Sequence, residues 1–273
     1  MIIFAVNNKV FININSSTMK KNLILLASMV ALLVSCSSNK NEKVVDIDGN
    51  EYTTIVIGNR EWMVENLKTT RYNDGTPIQY CADDSAWIKA GETNEAAWCV
   101  YGEYGSAQEA VASTTFGTYG VIYNFFAVEK DKLAPEGWRV ATNNDWVALE
   151  NYLVAQGFNY DDTRSDNKIA KALTDNILWK QNTDDGLGDI GTKSSFVEKN
   201  NATGFSAVPG GDRRISGLYV FLNEQTFIWT STVCGTDSTA AWARQLSNTE
   251  YSLVTLPAKA QYGFSVRCVR DVK

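Results

Sequence analysis

Thr142-Asn143-Asn144-Asp145-Trp146-Val147-Ala148-Leu149-Glu150-Asn151-Tyr152-Leu153 carries the clearest local signal in the chain, and the rest is read outward from it. Thr142 suits an N-cap, because its hydroxyl can accept from a first-turn amide, and Asp145 supplies an acidic partner three residues on. Trp146, Leu149 and Leu153 recur at i, i+3 and i+7, one face of a helix. The pattern predicts a helix over residues 142–155, ended by Gly157. A weaker helix is expected over 166–174, where Ile169 and Leu173 stand four apart.

Towards the C-terminus the pattern turns to strands, at residues 227–232, 241–246, around 251–256 and at 263–269. In the last, Phe264, Val266 and Cys268 alternate with Ser265 and Arg267, as in a strand with one face buried and one in solvent. Towards the N-terminus, residues 46–51 read as a turn into a strand over 52–57. Gly58-Asn59-Arg60 then turns into a second strand over 61–64, completing a hairpin. Residues 71–116 are rich in Gly, Asp, Ser and aromatics without a sustained period, and read as a long ordered loop region. Helices early and strands late, with no βαβ alternation, give an α+β class.

Ahead of the domain lies a leader. Met19-Lys20-Lys21 opens a positive segment, residues 23–34 are almost wholly apolar, and Leu33-Val34-Ser35-Cys36 closes with small residues and a cysteine, a secretory signal with a lipoprotein cleavage box. The apolar run is about a dozen residues, where a bilayer-spanning helix needs about 20. Residues 1–18 read as an upstream mis-start, 19–35 as the signal, 36–43 as a tether carrying lipid on Cys36, and 44–272 as one domain. Cleavage would remove three of the 25 basic residues and none of the 31 acidic ones, moving the net charge from −6 to −9. An acidic chain without a basic block argues against nucleic acid and against electrostatic docking on anionic lipid.

Beyond Cys36 four cysteines remain: Cys81, Cys99, Cys234 and Cys268. In an oxidising compartment they read as two disulfides; three pairings are open, and nearness favours Cys81 with Cys99 and Cys234 with Cys268. The chain has no histidine, which removes the usual Ser-His and Cys-His nucleophile pairs and most zinc sites. Carboxylates are the remaining catalytic candidates, in Asp161-Asp162 with Asp166 and in Asp184-Asp185 with Asp189, both in polar stretches where acids are normally solvated. Asp184-Asp185-Gly186-Leu187-Gly188-Asp189 has the oxygen donors of a calcium loop without an EF-hand's spacing. No cofactor is expected otherwise.

Eight tryptophans and twelve tyrosines raise the question of a glycan platform. Trp62, Trp138, Trp146 and Trp229 fall in patterned segments and are expected in the core. Trp87, Trp98 and Tyr101, in the aperiodic region, and Trp242 are the candidate ligand contacts. Pro209-Gly210-Gly211-Asp212-Arg213-Arg214 reads either as an anion site of glycine amides and arginines or as a tight turn needing glycine angles.

Six blocks in order carry a resemblance. They begin at Asp46-Ile47-Asp48-Gly49-Asn50-Glu51-Tyr52, Trp62-Met63-Val64-Glu65-Asn66-Leu67, Tyr119-Gly120-Val121-Ile122-Tyr123-Asn124, Ala134-Pro135-Glu136-Gly137-Trp138-Arg139-Val140, Gly204-Phe205-Ser206-Ala207-Val208-Pro209-Gly210-Gly211 and Gly263-Phe264-Ser265-Val266-Arg267-Cys268-Val269-Arg270-Asp271. Together they resemble the Fibrobacter succinogenes major paralogous domain, which implies a secreted or lipid-anchored protein of Bacteroidetes or Fibrobacteres type with no established biochemical role. More remotely, Trp138-Arg139-Val140-Ala141-Thr142-Asn143-Asn144-Asp145-Trp146 and the terminal strand resemble the formylglycine-generating enzyme family. That likeness implies a C-type-lectin-like fold of twisted antiparallel sheets, one or two helices and long loops, although Ala141 stands where both families usually have proline. The enzyme's close redox cysteine pair has no counterpart, nor have the calcium-dependent sugar triplets of C-type lectins. Cys268 falls where that relative has a structural disulfide cysteine, so the resemblance implies the alternative of a long-range bridge from Cys268 to Cys81 or Cys99.

The sequence therefore leads to the expectation of a non-enzymatic module for glycan or protein binding or adhesion. It would be held by Cys36 at the outer membrane of a cell envelope, facing the periplasm or the surface. The alternatives are a carboxylate-based enzyme acting on polysaccharide and a purely structural envelope component.

Overall fold

Val44–Val45 (β1) and Glu51–Tyr52 (β2) pair around a turn held by Asp46. Its carboxylate accepts from the Asp48 and Asn50 amides, each at 2.9 Å, and from the Tyr52 hydroxyl at 2.6 Å. The expected hairpin follows as Thr54–Ile57 (β3) and Arg60–Met63 (β4), antiparallel with Ile57 opposite Arg60. The structure is a computed structural model that describes residues 43–175, 177–182, 188–235 and 239–272. Cys36, the leader, and Asp184 and Asp185 with the calcium-loop reading lie outside the described residues.

The stretch expected as loop is more regular than its composition suggests. It contains Gln79–Tyr80 (β5), a helix over Asp84–Glu92, Ala97–Cys99 (β6) and two short helices, Ala107–Val111 and Thr114–Tyr119. Asp83 starts the first helix by accepting from the Ala86 amide at 2.8 Å, and Trp87, Ala90 and Gly91 turn inward. Ile122–Tyr123 (β7) closes a three-stranded sheet with β5 and β6. After Arg139–Val140 (β8) comes the central helix, Asn143–Gln156. Thr142 Oγ1 accepts from the Asp145 amide at 3.1 Å while the Thr142 amide donates to Asp145 at 2.8 Å, a reciprocal cap. Gly157 ends the helix in the left-handed region, at φ +82°. The weaker helix shortens to one turn, Ala170–Leu173.

The remaining strands are Gly210–Arg213 (β9), Tyr219–Leu222 (β10), Gln225–Val233 (β11), Ala240–Ser247 (β12), Val254–Lys259 (β13), Ser265–Val266 (β14) and Cys268–Asp271 (β15). β9 to β13 form one sheet in the order β10-β9-β11-β12-β13, with β14 parallel to β11. A second sheet has the order β3-β4-β15-β8, so the last strand lies between the first hairpin and β8. The class is α+β, with short helices against mixed sheets, and residues Lys43–Lys273 form one compact unit.

Two large clusters fill most of the interior, and a third, smaller one gathers around Trp87, Cys99 and Ile122. Trp62, Trp146 and Phe205 pack edge to face, at 5.0 Å between the two indoles and 5.6 Å from each to Phe205. Trp229 packs with Phe125 and Phe264 in the other large cluster. Trp138 is only half-buried, under the Arg270 guanidinium. The terminal strand departs from its half-solvated reading: Ser265 and Arg267 are as buried as Phe264, Val266 and Cys268. The Arg267 guanidinium donates to Asn66 Oδ1 at 2.7 Å and to the carbonyls of Met63, Phe205 and Ser206 at 2.9–3.1 Å. A polar face can be buried here because every one of those acceptors is supplied by a neighbouring segment.

Candidate functional site

Pro209-Gly210-Gly211-Asp212-Arg213-Arg214 runs into β9 and is not a tight turn. The glycine requirement is nevertheless met inside the strand. Gly211 has φ +66°, and a Cβ on it would lie 2.4 Å from the Val220 carbonyl oxygen. Phe221, between the Val220–Asp212 and Leu222–Gly210 pairs, is left-handed as well, at φ +67°. For a residue with a side chain that conformation costs of order 1–3 kcal/mol, and such strain gathers at functional sites.

Strand alternation then separates the three charged residues. Arg213 faces inward and is fully buried. Its guanidinium sits 4.9 Å from the Trp87 ring centroid and 4.6 Å from that of Tyr219. It donates to the Gly217 and Cys81 carbonyls at 2.9 and 3.0 Å and to Asp84 at 3.3 Å. With those partners filled, Arg213 is a structural bolt and not the anion receptor that its motif suggested.

Asp212 and Arg214 face the other way, into a cleft of about 330 Å3. Phe227 of β11 and Phe264 stack at 5.0 Å on its wall, Tyr262 stacks on Phe264 at 5.6 Å, and Leu256 of β13 contributes an aliphatic side. Asp212 is fully buried at the head of this cleft. Neither carboxylate oxygen has a hydrogen-bond partner among the described residues. Arg214 Nε lies 3.3 Å from Asp212 Oδ2, and its guanidinium spreads over the rings of Phe221 and Tyr262 at 5.1 and 5.7 Å. Burial pushes the Asp212 carboxyl up to about 7, against the opposing pull of Arg214. A buried polar group without hydrogen bonds costs roughly 1–3 kcal/mol, more when charged. Native folds keep few of them.

The aromatic residues singled out from sequence are elsewhere. Trp87 and Trp98 are core side chains, each 2% exposed, which corrects their reading as surface contacts. Trp87 packs under Arg213, and Trp98 meets Tyr80 at a tilt, 4.8 Å between centroids, and donates to the Ile78 carbonyl at 3.0 Å. Tyr101 is half-buried against Tyr219, at 5.0 Å. Trp242 is half-buried opposite Pro257, on the face of β12 away from the inward Ala241 and Ala243. None of the four lines the Asp212 cleft.

The four cysteines of the domain are free thiols, which corrects the expectation of two disulfides. Cys81 directly follows β5, and Cys99 ends the neighbouring parallel strand β6. Cys268 is buried opposite Val140 on β8, whereas Cys234 lies just past β11 with its amide on the Ala240 carbonyl. Burial pushes the Cys81 thiol up to about 12 and raises Cys99 and Cys268 as well, so these groups remain protonated. Asp161 is taken up by Lys168 at 2.6 Å and by Thr163, and Asp162 by Lys199. No group of three or more Cys, Asp or Glu side chains among the described residues is placed to hold a metal ion.

A larger cavity, about 630 Å3, opens beside Asp83, Asp84, Glu103 and Tyr104. Its inner polar groups are already used: Asp83 caps its helix, and Asp84 pairs with Arg213. The Asp212 cleft is distinguished by acceptors that nothing described fills.

The model of the Fibrobacter succinogenes major domain matches residues 55–270, from the first hairpin to the last strand. The chain belongs to that family. No curated protein and no solved structure matches it. Within the family domain the cleft is built from β9, β11, β13 and the segment leading into β14, all inside the matched range.

Proposed function

We propose that this Fibrobacter succinogenes major domain is a non-enzymatic binding or adhesion module of the cell envelope, for glycan or envelope protein, and that it captures its ligand at the Asp212 cleft. One observation carries the reading: a fully buried carboxylate with two unfilled acceptors faces an aromatic-walled cavity. Pockets of about 300–1,000 Å3 with apolar walls and a few convergent polar groups are the usual form of a ligand site. Binding is favoured over the carboxylate-enzyme alternative because polysaccharide cleavage needs two carboxyls about 5–10 Å apart. Asp212 is the single acidic side chain among the described residues lining this cleft.

Lipid on Cys36 would hold the module at the outer membrane, facing the periplasm or the surface. A C-type-lectin-like fold is supported by the pairing of the first hairpin with the terminal strand and by the long segments between short helices. The test is a glycan array and an envelope-extract binding assay with the full chain, each with and without calcium. Binding that is lost in Arg214→Ala and Tyr262→Ala, with the ligand recovered chemically unchanged, is the expected result. Release of shortened polysaccharide that stops in Asp212→Asn would replace the binding module with the enzyme.

A further inference from the structure

The cleft's chemistry narrows its ligand. Asp212 presents two carboxylate oxygens that need hydrogen-bond donors. Arg214, 3.3 Å away, brings an opposite charge that offsets Asp212 once the carboxyl is ionised, above about pH 7. A cation approaching Asp212 meets the guanidinium, and an anion approaching Arg214 meets the carboxylate, so an ion of either sign gains little and still loses its hydration. An uncharged ligand rich in hydroxyl groups does better: its O–H groups fill Asp212, and its oxygens can take the free edge of Arg214. The remaining walls are largely apolar, made by Phe227, Phe264, Tyr262 and Leu256 with the exposed Lys259 among them, and they ask for a C–H face on the same molecule. A ring with hydroxyls at its rim and C–H groups on its faces meets both demands. At about 330 Å3 the space lies at the small end of ligand pockets and suits one or two such rings.

Resting on the reading of this cleft as the binding site, we propose that it takes an uncharged pyranose unit of a glycan, with Asp212 accepting from ring hydroxyls and Tyr262 with Leu256 contacting the C–H face. Arg214 and Asp212 act as an offset pair that gives the charged groups of uronic acids and amino sugars no unopposed partner, and the solvent-exposed Lys259 adds only a screened charge. Asp212 is thereby a specificity-determining residue: it discriminates by what it would leave unpaired if the hydroxyls were missing.

The experiment is titration calorimetry at about pH 8, where Asp212 is ionised, of the detergent-solubilised full chain with cellobiose, maltose and galactobiose as neutral probes, digalacturonate as the acidic probe and chitosan disaccharide as the basic one. At least one neutral probe should bind, the charged probes about tenfold or more weaker, and Asp212→Asn should lose about 10- to 100-fold for the neutral probe. Folding of Asp212→Asn is checked by its unfolding transition, and Tyr262→Ala provides a second cleft variant outside the charge pair. If a charged probe binds best and the cleft variants abolish it, the ligand class is wrong while the site stands. If a neutral probe binds equally to wild type and both variants, the cleft itself is not the site. Failure of every neutral probe to bind overturns the inference.

Discussion

Asp212 and Arg213 share a peptide bond and face opposite sides of β9, Asp212 into the aromatic cleft and Arg213 into the packed layer beside Trp87. One residue is fully satisfied by its neighbours, and the other is not satisfied at all by hydrogen bonds from the described residues. On the reading of the cleft as the binding site, stability and recognition are divided between adjacent positions of one strand, and the two can be separated experimentally.

Asp212 gives the domain a pH dependence of unusual sign for a carboxylate. Burial pushes its carboxyl up to about 7, whereas an unfolded aspartate titrates near 3.9. Between those values the folded state keeps a proton that the unfolded state lacks. The group's contribution is therefore full below about pH 4 and declines as pH rises towards about 7, by at most about 1.4 kcal/mol per pH unit. Denaturant titrations across that range should show a slope in the wild type that Asp212→Asn removes. Identical slopes in the two proteins would show that Asp212 is charged in the fold at all these pH values.

Asp145 behaves in the opposite way. Burial pushes its carboxyl up, but hydrogen bonds from Arg139, Thr142 and Arg60 outweigh burial and hold it well below the usual carboxylate range. Its contribution is present above about pH 4 and is lost as pH falls below it. Asp145→Asn should cost about 2–4 kcal/mol at neutral pH, because two guanidinium groups and the helix cap lose their acceptor. The cost should shrink in acid, measured by denaturant unfolding; a cost that stays constant down to pH 3 would contradict the assignment.

The buried tryptophans of the domain should respond as core, wherever they lie in sequence. Trp87→Ala, Trp98→Ala and Trp146→Ala should each cost about 3–5 kcal/mol. Trp242→Ala, half-buried on an outer strand face, should cost less. A cooperative unfolding transition unchanged by Trp87→Ala would return that residue to the surface.

Arg267→Lys should not be conservative. Lysine offers one ammonium where the fork of Arg267 serves Asn66, Met63, Phe205 and Ser206. Leaving buried acceptors unfilled should cost roughly 2–4 kcal/mol. An unfolding midpoint within error of wild type would mean that water or a side-chain shift replaces the guanidinium.

On the proposed reading, membrane attachment rests on Cys36. Cys36→Ser should move the protein from the detergent phase to the aqueous phase in a cloud-point partition, and should abolish labelling by radioactive palmitate. Retention in the detergent phase without label in either form would remove the lipid from the account.

The central helix was legible in sequence because its signals are local: Thr142 and Asp145 cap each other, and Gly157 stops the helix whatever the tertiary surroundings. The first hairpin was legible for the same reason. Arg267 was misread because alternation reports which residues share a face, and not whether a second layer covers the polar face. The Asp84–Glu92 helix carried a readable start, Asp83 with Asp84, but Gly91 and its short length left no sustained period. The cleft could not be read from spacing, since Phe227, Leu256 and Tyr262 converge on Asp212 only after β9, β11 and β13 have been laid side by side. Within the glycine-arginine motif, strand alternation was the missed clue: it would have parted Arg213 from Asp212 and Arg214.

The position of β15 between β4 and β8 governs the order in which this protein can be made. A sheet begun by residues 54–63 acquires its middle strand only from residues 268–271, so the hairpin waits for nearly the whole chain before its outer edge is covered. Contacts so distant in sequence form slowly, because loop closure precedes the reward of pairing. A chain that emerges from its N-terminus therefore cannot complete this sheet until its final residues arrive. Its last strand is thus the one that closes the sheet, and the domain's own topology places that step at the end of the chain.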